Sequence, residues 1–180
     1  MPTEDAPRLS ALAHGISARL ARGDFGAGPL AELRRMDPRA PAAPAFFRLL
    51  AGLPEHGPLD RRGWALLIHS LALAAPGLVG GRGEFGTALF EAGYSEGRLA
   101  RLLQARAEDL ADVVPRTVRF LAAHDQALNP AALAYFIRDV SRGGGAAERA
   151  RERIARTYYR AEYAATQPSQ QPAGETGSHP

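Results

Sequence analysis

The chain has 180 residues, 46% of them hydrophobic, with no cysteine and a formal net charge of +3. That length suits one domain or two small packed lobes, and that apolar content suits a real core. Disulfides and thiolate metal sites are excluded, and no apolar run approaches the roughly 20 residues of a membrane span. The opening MPTEDAPRLS is acidic and lacks the apolar region of a signal peptide, so a cytoplasmic protein is expected.

All 22 basic residues are arginine. Arginine makes bidentate bonds to phosphate. An Ala-, Gly-, Pro- and Arg-rich chain without lysine is also what a GC-rich genome encodes, so placement is informative and number is not. Arg8 to Asp60 is nearly balanced, whereas Arg61 to Ala165 holds 15 Arg against 11 Asp and Glu.

Val and Ile are sparse, period-two alternation is absent, and Ala and Leu dominate, so the predicted class is all-α. Pro7 to Arg22 reads as a first helix with Leu9, Leu12, Ile16 and Leu20 on one face. Gly23 to Gly26 breaks it, and Pro29 opens a short helix to Arg35. Met36 to Pro44 holds three prolines and reads as a loop before a short helix from Ala45 to Ala51. Asp60 is the expected N-cap of a helix from Arg61 to Ala75, ended by Pro76-Gly77. Gly80 to Gly83 is a flexible connection, and Glu84 to Ala92 is a helix closed by Gly93.

Ser95 is the expected cap of Glu96 to Ala105. There Leu99, Leu102 and Leu103 share a face, with Arg98 and Arg101 on its flank and back. The next helix clusters Leu110, Val113, Val114, Phe120 and Leu121, and places Arg116 and Arg119 at the same offset. Pro115 is expected to start or kink it, and it runs to about His124. Paired arginines on neighbouring helices make a surface suited to a phosphodiester backbone. Asn129 caps, and Pro130 opens, a helix to about Ser141. Gly143 to Gly145 separates it from a last helix, Ala146 to about Ala164. On that helix Arg149, Arg153, Arg156 and Arg160 fall within about 60° and span about 16 Å. The stripe is either a solvated face, with Glu152 pairing Arg156, or a nucleic-acid contact. The expected organisation is a helical domain over residues 7–165 and a Gln-, Pro-, Gly- and Ser-rich disordered tail over 166–180.

Nothing in the chain points to catalysis. Five scattered histidines have no metal-ligand spacing, and Gly80 to Gly83 lacks the lysine and preceding strand of a phosphate loop. His69 lies in an apolar helix and reads as a core or half-buried residue. Glu108, Asp109 and Asp112 complement a helix N-terminus better than they make a two-metal site. Nucleophile motifs are absent, so no enzyme, cofactor or metal is expected. Phe46, Phe47, Trp64, Tyr135 and Phe136 lie at core spacing, and Tyr94 is the more exposed candidate for stacking on a base. Arg48, set among apolar residues, suggests a buried ion pair.

The ordered set of segments from about Leu30 to Tyr159 resembles the CasB family, the small subunit of the type I-E CRISPR Cascade complex. The resemblance rests on Gly86-Thr87-Ala88-Leu89, Ala92-Gly93, Glu96-Gly97-Arg98-Leu99, Leu102-Leu103 and Arg119-Phe120-Leu121. Upstream it includes Leu33-Arg34-Arg35 and the run from Pro44 to Leu50. Thr87 departs from the family's usual Arg, so the resemblance assigns that position no phosphate contact. It implies a bundle of two packed helical lobes that assembles as a pair along Cascade, against the repeated backbone subunits and the large subunit. It also implies binding to guide RNA, target DNA and the displaced strand of the R-loop. Arg34, Arg35, Arg98 and Arg119 match family positions and are expected to contact phosphate. Arg61 and Arg142 follow by looser alignment, and Arg101 by its pairing with Arg98. The alternative from another class is a helical adaptor or regulator that binds only a protein partner.

Overall fold

The computed structural model describes residues 5–22, 25–54, 57–75, 77 and 80–167. Among these residues the chain forms α1 (Asp5–Ala21), α2 (Ala27–Arg35), α3 (Pro44–Leu50), α4 (Arg61–Ala74) and α5 (Phe85–Glu91). They continue with α6 (Glu96–Gln104), α7 (Leu110–Ala123), α8 (Pro130–Arg142) and α9 (Gly144–Thr166). The fold is an all-α bundle. Its nearest approach to a sheet, among the described residues, is a single bridge at Leu128, whose carbonyl accepts from Gly80 and Gly81.

Local chemistry sets the helix ends. The Asp60 carboxylate accepts from the Gly63 amide at 2.7 Å, and Asn129 Oδ1 accepts from Ala131 and Ala132 ahead of Pro130. Gly93, at φ 73°, lets Tyr94 N–H turn back onto the Leu89 carbonyl and closes α5. Ser95 stands at the start of α6 but its side chain makes no capping bond. Pro115 lies inside α7, five residues after Leu110, so it does not start the helix. Gly143 alone separates α8 from α9, which begins at Gly144, two residues before the expected start. Thr166 is helical, and its hydroxyl donates to the Glu162 and Tyr163 carbonyls. The rest of the expected tail, from residue 168, lies outside the described residues.

The centre is α4. Every residue from Gly63 to Ala72 is buried, and α1, α2, α3, α7 and α8 pack around it. The run from Gly63 to Ala74 contains no Arg, Asp or Glu, as a helix enclosed on all sides requires. A second group forms around α9, which packs on α5, α6 and α8. Helix α8 belongs to both groups, so the lobes share one continuous apolar core.

The α5–α9 contact is made backbone to backbone at Gly86. A Cβ there would lie 2.1 Å from the Ile154 carbonyl oxygen and 2.2 Å from Thr157 Oγ1. Beside it, the half-buried Thr87 hydroxyl reaches toward the Thr157 carbonyl at 3.5 Å, so this position faces α9 and not an open surface. A buried polar relay then fastens α9 to α7. Tyr158 donates to the Tyr94 carbonyl at 2.6 Å, the Tyr94 hydroxyl meets Thr117 Oγ1 at 2.9 Å, and the Val113 carbonyl accepts from Thr117.

Gly86→Ala should lower stability by about 1–3 kcal/mol in a denaturant titration, because the helices have to separate to admit a methyl group. Gly97→Ala, where a Cβ meets nothing within 4 Å, should leave stability unchanged or raise it by up to about 1 kcal/mol.

Candidate nucleic-acid interface

The C-terminal end of α2 and the exposed side of α7 enclose a groove of about 440 Å³. Arg34 and Arg35 line it from α2, Arg116 and Arg119 from α7, and His69 from α4 beneath. The paired-arginine spacing on α7 produces this directly: residues three apart on a helix fall on neighbouring positions of one face. On α2 the arginines end a helix, where cations complement the carbonyl end of the dipole.

The four arginines differ in their surroundings. Arg34 is half-buried, and its Nε donates to the Ala72 carbonyl at 2.9 Å while Nη2 donates to the Ala75 carbonyl. It therefore satisfies carbonyls at the end of α4 that have no helical partner. Arg35, Arg116 and Arg119 are exposed. The acid in the groove lining, Asp112, is bound by Arg39 from the loop after α2. Hydrogen bonding from Arg39 holds the Asp112 carboxyl below the ordinary carboxylate range, with the charges of Arg39 and Arg116 adding to it. With that acid engaged elsewhere, the groove keeps a positive excess.

His69 is buried, and its Nδ1 lies 2.8 Å from the Leu33 carbonyl. A carbonyl only accepts, so Nδ1 carries the proton in the neutral ring. Burial lowers the pKa of this imidazole; the bond to Leu33 opposes the shift and the charge of Arg119 reinforces it. The groove floor is thus neutral at physiological pH.

The other expected site residues lie elsewhere. Arg98, on α6, is exposed, with its guanidinium carbon 4.7 Å above the centre of the Phe120 ring, next to Arg116 on α7 but outside the groove lining. Arg101 is exposed one turn further along α6. Arg61, the first residue of α4, lies over Phe47 at 5.2 Å, about 16–20 Å along the helix from the carbonyls that Arg34 caps. Arg142 is exposed in the last turn of α8. The neighbours of these two, Arg62 and Ser141, line a second cavity of about 530 Å³. Arg34, Arg35 and Arg119 converge, therefore, while Arg98, Arg101, Arg61 and Arg142 do not enter the groove. Arg116 was not among the expected contacts, although its spacing from Arg119 was the signal that could have selected it.

Three further expectations need correction. Tyr94 is 6% exposed, because its hydroxyl is drawn inward to Thr117, so it offers no stacking face. Phe47, expected in the core, is 41% exposed, since α3 is short and buries Ala45, Phe46 and Leu49 instead. Arg48 is exposed beside it and makes no buried pair. On α9, Arg149, Arg156 and Arg160 are exposed, while Arg153 pairs with Asp139 of α8 at 3.4 Å.

A family model described as CRISPR-associated protein Cse2 matches residues 29–159. The chain belongs to the Cse2 family. It is thus a member of the CasB small-subunit family of type I-E Cascade, a family of structural subunits. No match is found among curated proteins or among solved structures. The match begins at Pro29, within α2, and ends at Tyr159, within α9, so it spans the groove and α3 to α8 entire. Among the described residues no helix is long and apolar enough to cross a membrane, and no group of acidic and histidine residues is placed to hold a metal ion.

Two outcomes follow from this geometry. Arg34→Ala should cost about 1–3 kcal/mol by leaving two carbonyls without their charged donor, whereas Arg35→Ala should stay within about 0.5 kcal/mol in the same chemical melt. The lowered His69 pKa makes stability pH-dependent. Below about pH 6.5 the unfolded chain takes up a proton that the folded chain resists, so stability falls as pH drops toward the folded pKa, by at most about 1.4 kcal/mol per unit. Melts at about pH 7.5 and about pH 5.5 should show this loss shrinking in His69→Gln.

Proposed function

We propose that this Cascade subunit is non-catalytic and binds nucleic-acid backbone without sequence preference, steadying the guide RNA–target DNA R-loop and the displaced strand. The observation that carries the reading is the convergence of Arg35, Arg116 and Arg119, beside Arg34, on a groove whose acid is already bound by Arg39. Backbone attraction needs charge in the right place and no base-edge readout. Replacing a DNA duplex by an RNA–DNA hybrid is nearly balanced in free energy, so a few phosphate contacts tip it. Within this reading Arg34 supplies charge while holding the groove wall, and Arg98 and Arg101 extend the positive surface across α7 onto α6. Arg61 and Arg142 serve a separate contact at the far end of α4. The complex supplies the repeated backbone subunits, the large subunit and a second copy of this chain as neighbours, and the subunit works in the cytoplasm.

The isolated chain should bind single-stranded DNA and RNA weakly and alike, with log K falling as log salt rises. Each neutralised phosphate contributes roughly −0.7 to that slope on single strands. Reversing Arg35, Arg116 and Arg119 together to Glu should weaken all sequences equally and flatten the slope by about 2, with folding checked by circular dichroism. In the assembled complex the same variant should load guide normally and lose R-loop lifetime. An unchanged slope together with an unchanged lifetime would favour a subunit that contacts only protein.

A further inference from the structure

We infer that Arg98, Phe120 and His124 form a stacking site for an unpaired nucleobase, beside the phosphate-binding arginines of α7. The inference rests on the reading of this face as a nucleic-acid surface.

Phe120 holds two flat groups against its ring. The Arg98 guanidinium carbon stands 4.7 Å over its ring, and the His124 imidazole stacks on it with centroids 4.1 Å apart and planes 29° from parallel. Tyr94 packs on the same ring edge-on at 5.0 Å. The His124 ring is held in place by its Nδ1, 2.8 Å from the Phe120 carbonyl. Both Arg98 and His124 are exposed, so the guanidinium and the imidazole are open to solvent.

Unpaired bases stack on such surfaces, on aromatic rings and on guanidinium planes alike. The charges beside the stack select a nucleotide over a neutral aromatic. Arg116 lies four residues before Phe120 and so about one helical turn away, about 6 Å, on the same side of α7. That spacing lets one nucleotide place its phosphate on Arg116 and its base on the stack. After His124 in the chain come Asp125 and Gln126, whose amide donates to Glu91 at 3.0 Å. These acids turn the phosphate toward Arg116 and away from the helix end, which fixes the direction in which a strand crosses α7.

The test uses the full chain and a short thymidine oligonucleotide carrying one 2-aminopurine. Stacking should quench the probe on binding to the unaltered chain. His124→Ala should abolish most of the quench and weaken binding about fivefold or more, while leaving the salt dependence intact. His124→Phe, which keeps a ring without a charge, should restore both. Melting curves of the two variants establish that they fold. Binding with no quench, or unaltered binding by His124→Ala, overturns the stacking site and leaves the phosphate reading standing. No binding by the unaltered chain at low salt overturns both.

Discussion

Enclosing α4 on every side creates the constraint on which the rest of the molecule depends. A helix buried over Gly63 to Ala72 cannot expose the carbonyls of its last turn to water, and unpaired buried carbonyls cost about 1–3 kcal/mol each. Arg34 meets that demand from α2, bonding Ala72 and Ala75. Doing so brings the end of α2 against the end of α4 and points the adjacent Arg35 outward. Helix α7, packed along another side of α4, completes the groove with Arg116 and Arg119. The positive groove is in this sense a by-product of capping a buried helix.

The second constraint is the close approach of α5 and α9 at Gly86. It places Tyr158 where its hydroxyl reaches the Tyr94 carbonyl, and Tyr94 in turn reaches Thr117 on α7. Burial raises the pKa of Tyr158, with Glu162 and Glu96 adding to it, so the phenol remains a donor through the physiological range. The relay sets α6 and α7 side by side, which is what brings Arg98 over Phe120. The α9 group thus bears on the arginine-rich side of α7 without contributing residues to the groove.

Arginine fills two roles that lysine would fill less well. Arg34 divides its donors between two carbonyls in fixed directions, which needs a planar fork, and Arg98 stands over the face of a ring. The same charge stays available to phosphate at Arg35, Arg116 and Arg119, which are exposed. One residue type thus serves both a buried capping role at Arg34 and an exposed, solvated charge at Arg35.

The helical periods of the sequence were enough to determine an all-α chain, the order of its helices and most core faces. Local signals were enough for the caps at Asp60 and Asn129 and the break at Gly93, because each acts within a few residues. A helical wheel gives each side chain an angle about its own axis but not the neighbour it meets. Tertiary structure alone therefore decided that Tyr94 turns inward to Thr117, that Phe47 and Arg48 face solvent, and that Arg61 lies a helix length from Arg34. It also decided that Arg116 joins Arg35 and Arg119 in the groove while Arg98 lies over Phe120 outside it. These arrangements depend on contacts between residues tens of positions apart, made only when α4 is enclosed and α5 closes on α9.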